Sequence, residues 1–418
     1  MAKFREVLKN RNFFLLWLGQ IISQMGDRLG QMALIGFVYL RAPGSTLQIA
    51  KILSFTIIPV FLIGPLAGVY VDRWDRRKTM YICDCFRCFL VLAIPLFLFY
   101  SKNLAPIYLL IFIAFSVGRF FVPAKLSIIP DLVDNKSLLV ANTLINTSGM
   151  IAAVLGFGIS GIIVERLGPK SGFYLNSLTF LASATFIFFI SKRGLMREVS
   201  LGEVGKEIVD VIRKSIFQEI KEGILYFIRN KDIRFTSGLI FALWSALGSV
   251  YVVIIVFVQN SLHSATKDLG FLVMFLGIGL FLGSVFYGKF GQRISHYKVI
   301  FVSLIISGFM LDIFSLAIYY YPNFILAAFL ALSLGLIIAP VMIASNTIIH
   351  NVSDNEMLGK IFSSLEIVMH LGFLLFMFVS SILAEKFSPL LILIFVGTLL
   401  SVLGTISLFL NRKVAWLG

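Results

Sequence analysis

Charge is what this chain has least of. Of its 418 residues 14% are Asp, Glu, Lys or Arg, and only 21 are acidic; a soluble globular domain carries about 25% charged residues. With 59% hydrophobic residues there is too little polar side chain to cover a folded surface in water. A soluble globular protein is therefore excluded, and the apolar runs read as bilayer spans, each needing roughly 20 residues to cross ~30 Å of hydrocarbon. Cysteine is almost as scarce. Cys83, Cys85 and Cys88 are the three present, all inside "CDCFRC". That excludes a disulfide framework. On a helix turning about 100° per residue the three thiols do not converge on one ion, so no metal site is expected there. The phosphate-cradling pattern G-x-x-x-x-G-K-[ST] does not occur, which argues against ATP-driven transport within this chain. No nucleophile–base arrangement stands out, so neither an enzyme nor a bound cofactor is expected. "MAKFREVLKNRNFF" at the N-terminus has no short apolar core followed by a small-residue cleavage site, so no cleaved leader is expected.

What is abundant is membrane helix. Phe 42 and Gly 33 suit packed bilayer helices, where glycine allows backbones to approach. Twelve spans are predicted, at 13–39, 46–70, 79–100, 105–125, 141–164, 171–191, 235–259, 269–288, 298–320, 323–345, 361–384 and 388–410. With both termini inside, 26 of the 36 Lys and Arg fall on inner segments and six on outer ones. The bias sets the topology: both ends cytoplasmic, in a cell (inner) membrane. It also explains the net charge of +15 without a nucleic-acid partner. The one long polar stretch, 192–234, carries ten of the basic residues and the amphipathic "IFQEIKEGILYFIRNKD"; it reads as a cytoplasmic linker with a surface helix. It divides the chain into six-helix halves at 1–191 and 235–418. Sliding the chain on itself by 220 residues places Gly68, Arg73 and Lys78 on Gly288, Arg293 and Lys298, and Asp134-Asn135 on Asp354-Asn355. That is the offset expected of two parallel repeats.

"GPLAGVYVDRWDRRKTM" (64–80) resembles the signature loop between the second and third spans of the major facilitator superfamily. The resemblance maps on Gly68, Asp72, Arg73, Arg76 and Arg77, with Asp75 where a second glycine is usual. It implies an all-α membrane protein of two pseudo-symmetric six-helix halves around a central cavity, working by alternating access as a monomer. Gly68 is expected to let span two approach a neighbour closely, and Asp72 to face the positive N-terminal end of span eleven. "GRFFVPAKLSIIPDLVDNKSLLVANTL" (118–144) and "SDNEMLGKIFS" (353–363) resemble the drug:proton antiporter branch, with its macrolide-efflux-type exporters, and "GFGISG" (156–161) stands where that branch has its span-five signature, with Phe157 in place of proline. Proton-coupled export of an amphipathic or hydrophobic small molecule is what this resemblance implies. A lysophospholipid flippase of the same fold is the main alternative, and a divalent-metal (iron) exporter a lesser one.

Against this apolar background stand the ionisable residues at membrane depth: Asp27, Arg28, Lys51, Asp84, Arg87, Arg119, Asp312, Glu366 and His370. An Asp, Lys or Arg at a helix centre costs about 2.5–3.5 kcal/mol on insertion scales, so each needs a partner, a wet cavity or an end location. Asp27 sits near the middle of span one. It is expected to couple proton to substrate, or else to form a structural ion pair between spans. Arg119 is a second coupling candidate, expected near Asp27; Glu366 and His370, one helical turn apart on span eleven, are two more. Arg28, about 100° round the helix from Asp27, is expected to anchor span one on its neighbours. Asp84 and Arg87 are three apart, share a face and are expected to pair structurally; Lys51 is expected to snorkel, and Asp312 to be structural. The resemblance assigns the cavity to spans one, two, four, five, seven, eight, ten and eleven, whose candidates for contacting substrate are Trp17, Gln24, Phe37, Phe55, Phe120, Asn146, Trp244 and Tyr251.

Overall fold

In the computed structural model, residues 4–71, 74–100, 104–191, 231–291, 294–352 and 358–410 are described, and they are helical almost throughout. After a short helix α1 (Phe4–Lys9) come α2 (Arg11–Arg41), α3 (Thr46–Leu62), α4 (Gly64–Val71), α5 (Arg76–Tyr100), α6 (Ala105–Leu132), α7 (Leu138–Leu167) and α8 (Pro169–Phe188). Beyond the linker follow α9 (Lys231–Leu262), α10 (Lys267–Phe290), α11 (His296–Tyr320), α12 (Phe324–Val352), α13 (Leu358–Lys386) and α14 (Pro389–Leu410). Ten of these are long and apolar enough to cross a bilayer. The other two passes are α2, which has the length but carries Asp27 and Arg28, and the pair α3–α4. That pair is one span broken at Ile63, where Pro65 cannot donate to the preceding turn while Ile63 N–H still bonds Pro59 O and Ala67 N–H bonds Ile63 O. The twelve-helix reading of the sequence holds. The linker 192–230, and with it most of the amphipathic stretch, lies outside the described residues, as do Asp72, Arg73, Gln292, Arg293 and 353–357.

The helix ends follow from their residues. Asn10 opens α2, its Oδ1 accepting from the N–H groups of Asn12 and Phe13 at 3.0 and 3.2 Å, which satisfies donors left over at a helix start. Gly168 turns between α7 and α8 at φ 81°, and Pro169 follows at the first position of α8, the glycine-then-proline order such a junction favours. Asp75 is the N-cap of α5: its carboxylate accepts from Lys78 N–H at 2.9 Å. An acid in place of the expected glycine thus does local work, capping a helix whose first turn is Arg76-Arg77-Lys78.

The chain divides into two compact units, Met1–Phe37 with Ile52–Arg213, and Val38–Lys51 with Lys214–Gly418. In the first, α5 packs on α6 and α8, α4 on α6, and α7 on α8. In the second, α11 packs on α12 and α14, α10 on α12, and α13 on α14. These are the same pairings six spans later, the internal counterpart of the 220-residue offset. The segment Val38–Lys51 belongs with the second unit: Thr46 Oγ1 donates to Ser381 O at 2.7 Å, and Glu385 accepts from Ser45 Oγ at 2.6 Å and Leu47 N–H at 3.0 Å.

Among the described residues, no close helix approach is made at Gly68. No described residue lies within 4 Å of where its Cβ would sit, and the same is true of Gly288, its 220-residue counterpart. The tight approaches are elsewhere. Gly279 and Gly283 of α10 press on the backbone of Leu332 and Leu336 in α12, and Gly308 of α11 presses on Gly397 of α14. A side chain at Gly279 would have to push backbone aside, an overpacking cost of at least about 1–3 kcal/mol. Gly279→Leu is expected to lose monodisperse protein in detergent size-exclusion chromatography, whereas Gly68→Leu is produced at the wild-type level. The opposite order would contradict this packing.

Candidate functional site

Asp27 is held in the first unit by the glycines that flank it. Gly26 and Gly30 on α2 lie against Thr179 and Asn176 of α8, with no room for a Cβ at either position. This close approach carries the Asp27 carboxylate to Arg87 of α5, whose Nη2 donates to Oδ1 at 2.5 Å. Arg87 also stands 3.8 Å from Asp84, three residues before it on the same helix. The guanidinium carbon lies 3.9 Å from the centroid of the Phe180 ring of α8, a cation–π contact. On the other side, Gly118 of α6 leaves it space: a Cβ there would lie 3.4 Å from the guanidinium carbon. Asp84 has 0% exposure; the Ser183 hydroxyl of α8 bears on it, but outside good hydrogen-bond geometry. Asp27 keeps 31% of its side chain exposed. Beside the ion pair is a cavity lined by Asp27, Gly30, Arg87, Phe115, Asn176 and Phe180, where a water's centre has about 20 Å³. That is room for one water.

The expected pair Asp84–Arg87 is therefore present, but it belongs to a larger group that includes Asp27. Asp27 is bonded to Arg87, a pairing the sequence did not suggest; Arg119 is half-buried on α6, one residue past Gly118. Arg28 goes the other way round α2, as a helix requires. Its Nη1 donates to Gln31 Oε1 at 2.7 Å, and its guanidinium carbon lies 4.8 Å from the Phe157 ring centroid on α7. Gly156 makes room for it, since a Cβ there would come within 3.1 Å of Arg28 Cγ. "GFGISG" thus seats the cation of span one.

The polar face of α2 continues towards α7. Trp17 Nε1 donates to Ser148 Oγ at 2.9 Å and Gln20 Nε2 to Ile145 O at 3.1 Å. Gln24 lies over Gly149, whose Cβ would be 3.2 Å from the amide nitrogen. Phe55 stacks on Tyr108, centroids 5.1 Å apart, and Phe120 on Trp74 at 5.9 Å. Phe37 is buried and Asn146 exposed. Of the basic signature, Arg76 pairs with Asp131 at 2.5 Å and donates to Ser127 O at 2.9 Å. Arg77, buried, donates to the carbonyls of Ile187 and Phe188. The two arginines tie α5 to the ends of α6 and α8.

In the second unit Trp244 lies 5.4 Å from the His370 ring and 6.1 Å from Phe373, which contacts Tyr251 at 5.4 Å. His370 Nδ1 is 2.7 Å from Glu366 O, which puts a proton on that nitrogen and turns the ring to its own helix rather than to the Glu366 carboxylate. Glu366 is exposed, as is its counterpart Asn146. Asp312 of α11 abuts Gly397 and accepts from Thr398 Oγ1 of α14 at 3.3 Å, joining two helices as expected. Cys88 lies 3.2 Å from Ser177 while Cys83 is in the core with Phe121 and Ile187, so the thiols diverge.

The family model described as transmembrane secretion effector matches residues 5–410. Among curated relatives, the MFS-type transporter YkuC of Bacillus subtilis (strain 168) is 25% identical over 369 residues, 85% of this chain and 81% of its own. BacE of the same organism, a candidate bacilysin exporter, is 28% identical over 375 residues, 86% and 85% of the two chains. The fold matches the nucleoside transporter NupG at TM-score 0.74 and 12% identity, covering 95% and 98%. It matches a bacterial homologue of the iron transporter ferroportin, in its inward-facing state, at TM-score 0.72 and 15% identity, with the same coverage of 95% and 98%.

Proposed function

Because the chain belongs to the transmembrane secretion effector family of major facilitator transporters, we propose that it is a proton-coupled exporter of an amphipathic or hydrophobic small molecule, with Asp27 as the group through which proton and substrate are linked. The observation that carries this is the partly exposed Asp27 carboxylate, bonded to Arg87 in the middle of two spans and bordering a water-sized cavity. An ion pair there is costly to keep. A structural tie alone would be served as well by apolar packing, whereas a carboxylate that accepts a proton releases its arginine and changes the local balance. The aromatic surfaces at Trp17, Phe55 and Phe120 in the first unit, and at Trp244, Tyr251 and Phe373 in the second, suit a flat apolar or cationic substrate. Similarity to BacE, a candidate bacilysin exporter, supports the outward direction.

Everted membrane vesicles containing the protein test the class of mechanism. A fluorescent lipophilic cation is expected to accumulate when a proton gradient is imposed and to leak back when a protonophore collapses it. Movement of lysophospholipid without any gradient, and none of the cation, would favour the flippase instead.

A further inference from the structure

Arg87 serves two carboxylates. It bonds Asp27 at 2.5 Å and stands 3.8 Å from Asp84. Lys125 of α6 acts on the Asp27 side of the group. If both acids were ionised, these three groups would carry a net negative charge that includes a fully buried carboxylate, which desolvation opposes. A proton on one acid removes it. Asp27 receives the short charge-assisted bond, so in this arrangement it is the ionised one. Asp84 has no exposed surface, and the Ser183 hydroxyl that bears on it from α8 is outside good hydrogen-bond geometry, so little holds a charge there. From the juxtaposition of one guanidinium with an exposed and a buried carboxylate, we infer that Asp84 is a second proton-binding site, occupied while Arg87 is bonded to Asp27 and emptied when Arg87 moves to Asp84. This rests on the proton-coupled reading above and assigns a residue to it that the sequence marked as structural.

The surroundings allow the move. Arg87 lies between the Phe180 ring and the open face of Gly118, so the guanidinium can slide between the acids while keeping its cation–π contact. Other ionisable groups stand near the pair, Arg119 among them, one residue past the Gly118 that contacts Arg87. From its own helix Cys83 and Cys85 stand beside Asp84. From α2 comes Asp27 itself, and from α6 Lys125, which acts on Asp27. The neighbouring α8 offers Ser183 and Phe180, which do not titrate in this range. The exchange balances. The proton passes within the group: as the guanidinium moves, the Asp84 carboxyl O–H bond breaks and its proton goes to the Asp27 carboxylate, whose bond to Arg87 breaks as that of Asp84 to Arg87 forms; the water beside Asp27 then exchanges that proton with the cavity. The guanidinium stays charged, and the three groups together always hold one carboxyl proton.

Infrared difference spectroscopy of the purified protein in nanodiscs, in H₂O and D₂O, reads this directly through the C=O stretch of a protonated carboxylic acid. At neutral pH the wild type is expected to show a deuterium-sensitive band from a buried acid. That band should disappear in Asp84→Asn, shift in frequency in Asp84→Glu, and persist in the control Arg28→Gln. A spectrum unchanged in Asp84→Asn, or a wild type with no such band, would overturn the assignment. Should Asp84→Asn prove too unstable to purify, the shift in Asp84→Glu decides alone. Because the band needs no transport, its presence with no gradient-driven export would leave the proton site standing and remove the exporter reading.

Discussion

Asp27→Asn is expected to abolish export against a concentration gradient while leaving downhill exchange of substrate near the wild-type rate. Asparagine keeps the size and the hydrogen-bonding oxygen that faces Arg87 at 2.5 Å in the wild type, but it cannot take up a proton. Nor should the change unfold the protein. With Asp27 neutral, Arg87 still has Asp84, 3.8 Å away, so one cation and one anion remain and no buried charge is stranded. Counterflow in proteoliposomes separates the two activities: exchange persists, while uphill accumulation falls to the protein-free background. Clear uphill transport by Asp27→Asn would return the residue to the role of an interhelical tie.

Arg87→Met is expected to have the largest effect on stability of any single change in the first unit. It takes from Asp27 the guanidinium it bonds, and from Asp84 the one 3.8 Å away. Removing one partner of a buried pair typically costs about 3–5 kcal/mol. The loss should be recovered in large part by combining Arg87→Met with Asp27→Asn and Asp84→Asn, because a neutral trio of similar volume has no charge left to desolvate. Arg28→Gln is the comparison, since the contacts of Arg28 are with a neutral amide and an aromatic face; it should cost far less. Thermal denaturation in nanodiscs measures all three. Equal losses for Arg87→Met and Arg28→Gln would mean that the acids are not paired through Arg87 as described.

Much of the architecture was legible in the chain because a bilayer leaves few options. Apolar runs of sufficient length must be helices. The 220-residue offset proved to be more than a coincidence of motifs, since helix pairings recur between the two units. The break at Ile63 and the cap at Asp75 were less legible, although Pro65 and the run of three basic residues after Asp75 were the signals. The site was read in part. Asp27 stood out because charge is rare in these spans, but its partner could not be found from spacing. Which cation reaches it depends on how closely α2 approaches α8, and that is set by Gly26 and Gly30, two residues with no chemistry of their own. The same limit hid the contribution of Asp84. A pair three apart on one helix looks self-contained in a sequence, and only the packing of a second helix shows that its arginine is shared. Gly68 is a different case: a glycine in a signature motif suggested contact, and among the described residues nothing lies against its bare face.

If proton and substrate move through one protein in a linked exchange, following both at once gives the most direct measurement. Proteoliposomes with a pH-sensitive dye in the lumen and a fluorescent lipophilic cation as cargo report the two flows together. Adding the cargo with no imposed gradient, and with the membrane potential clamped by potassium and valinomycin, should drive an opposed flow of protons that is lost in Asp27→Asn. Cargo movement with no accompanying proton flow in the wild type would contradict the account.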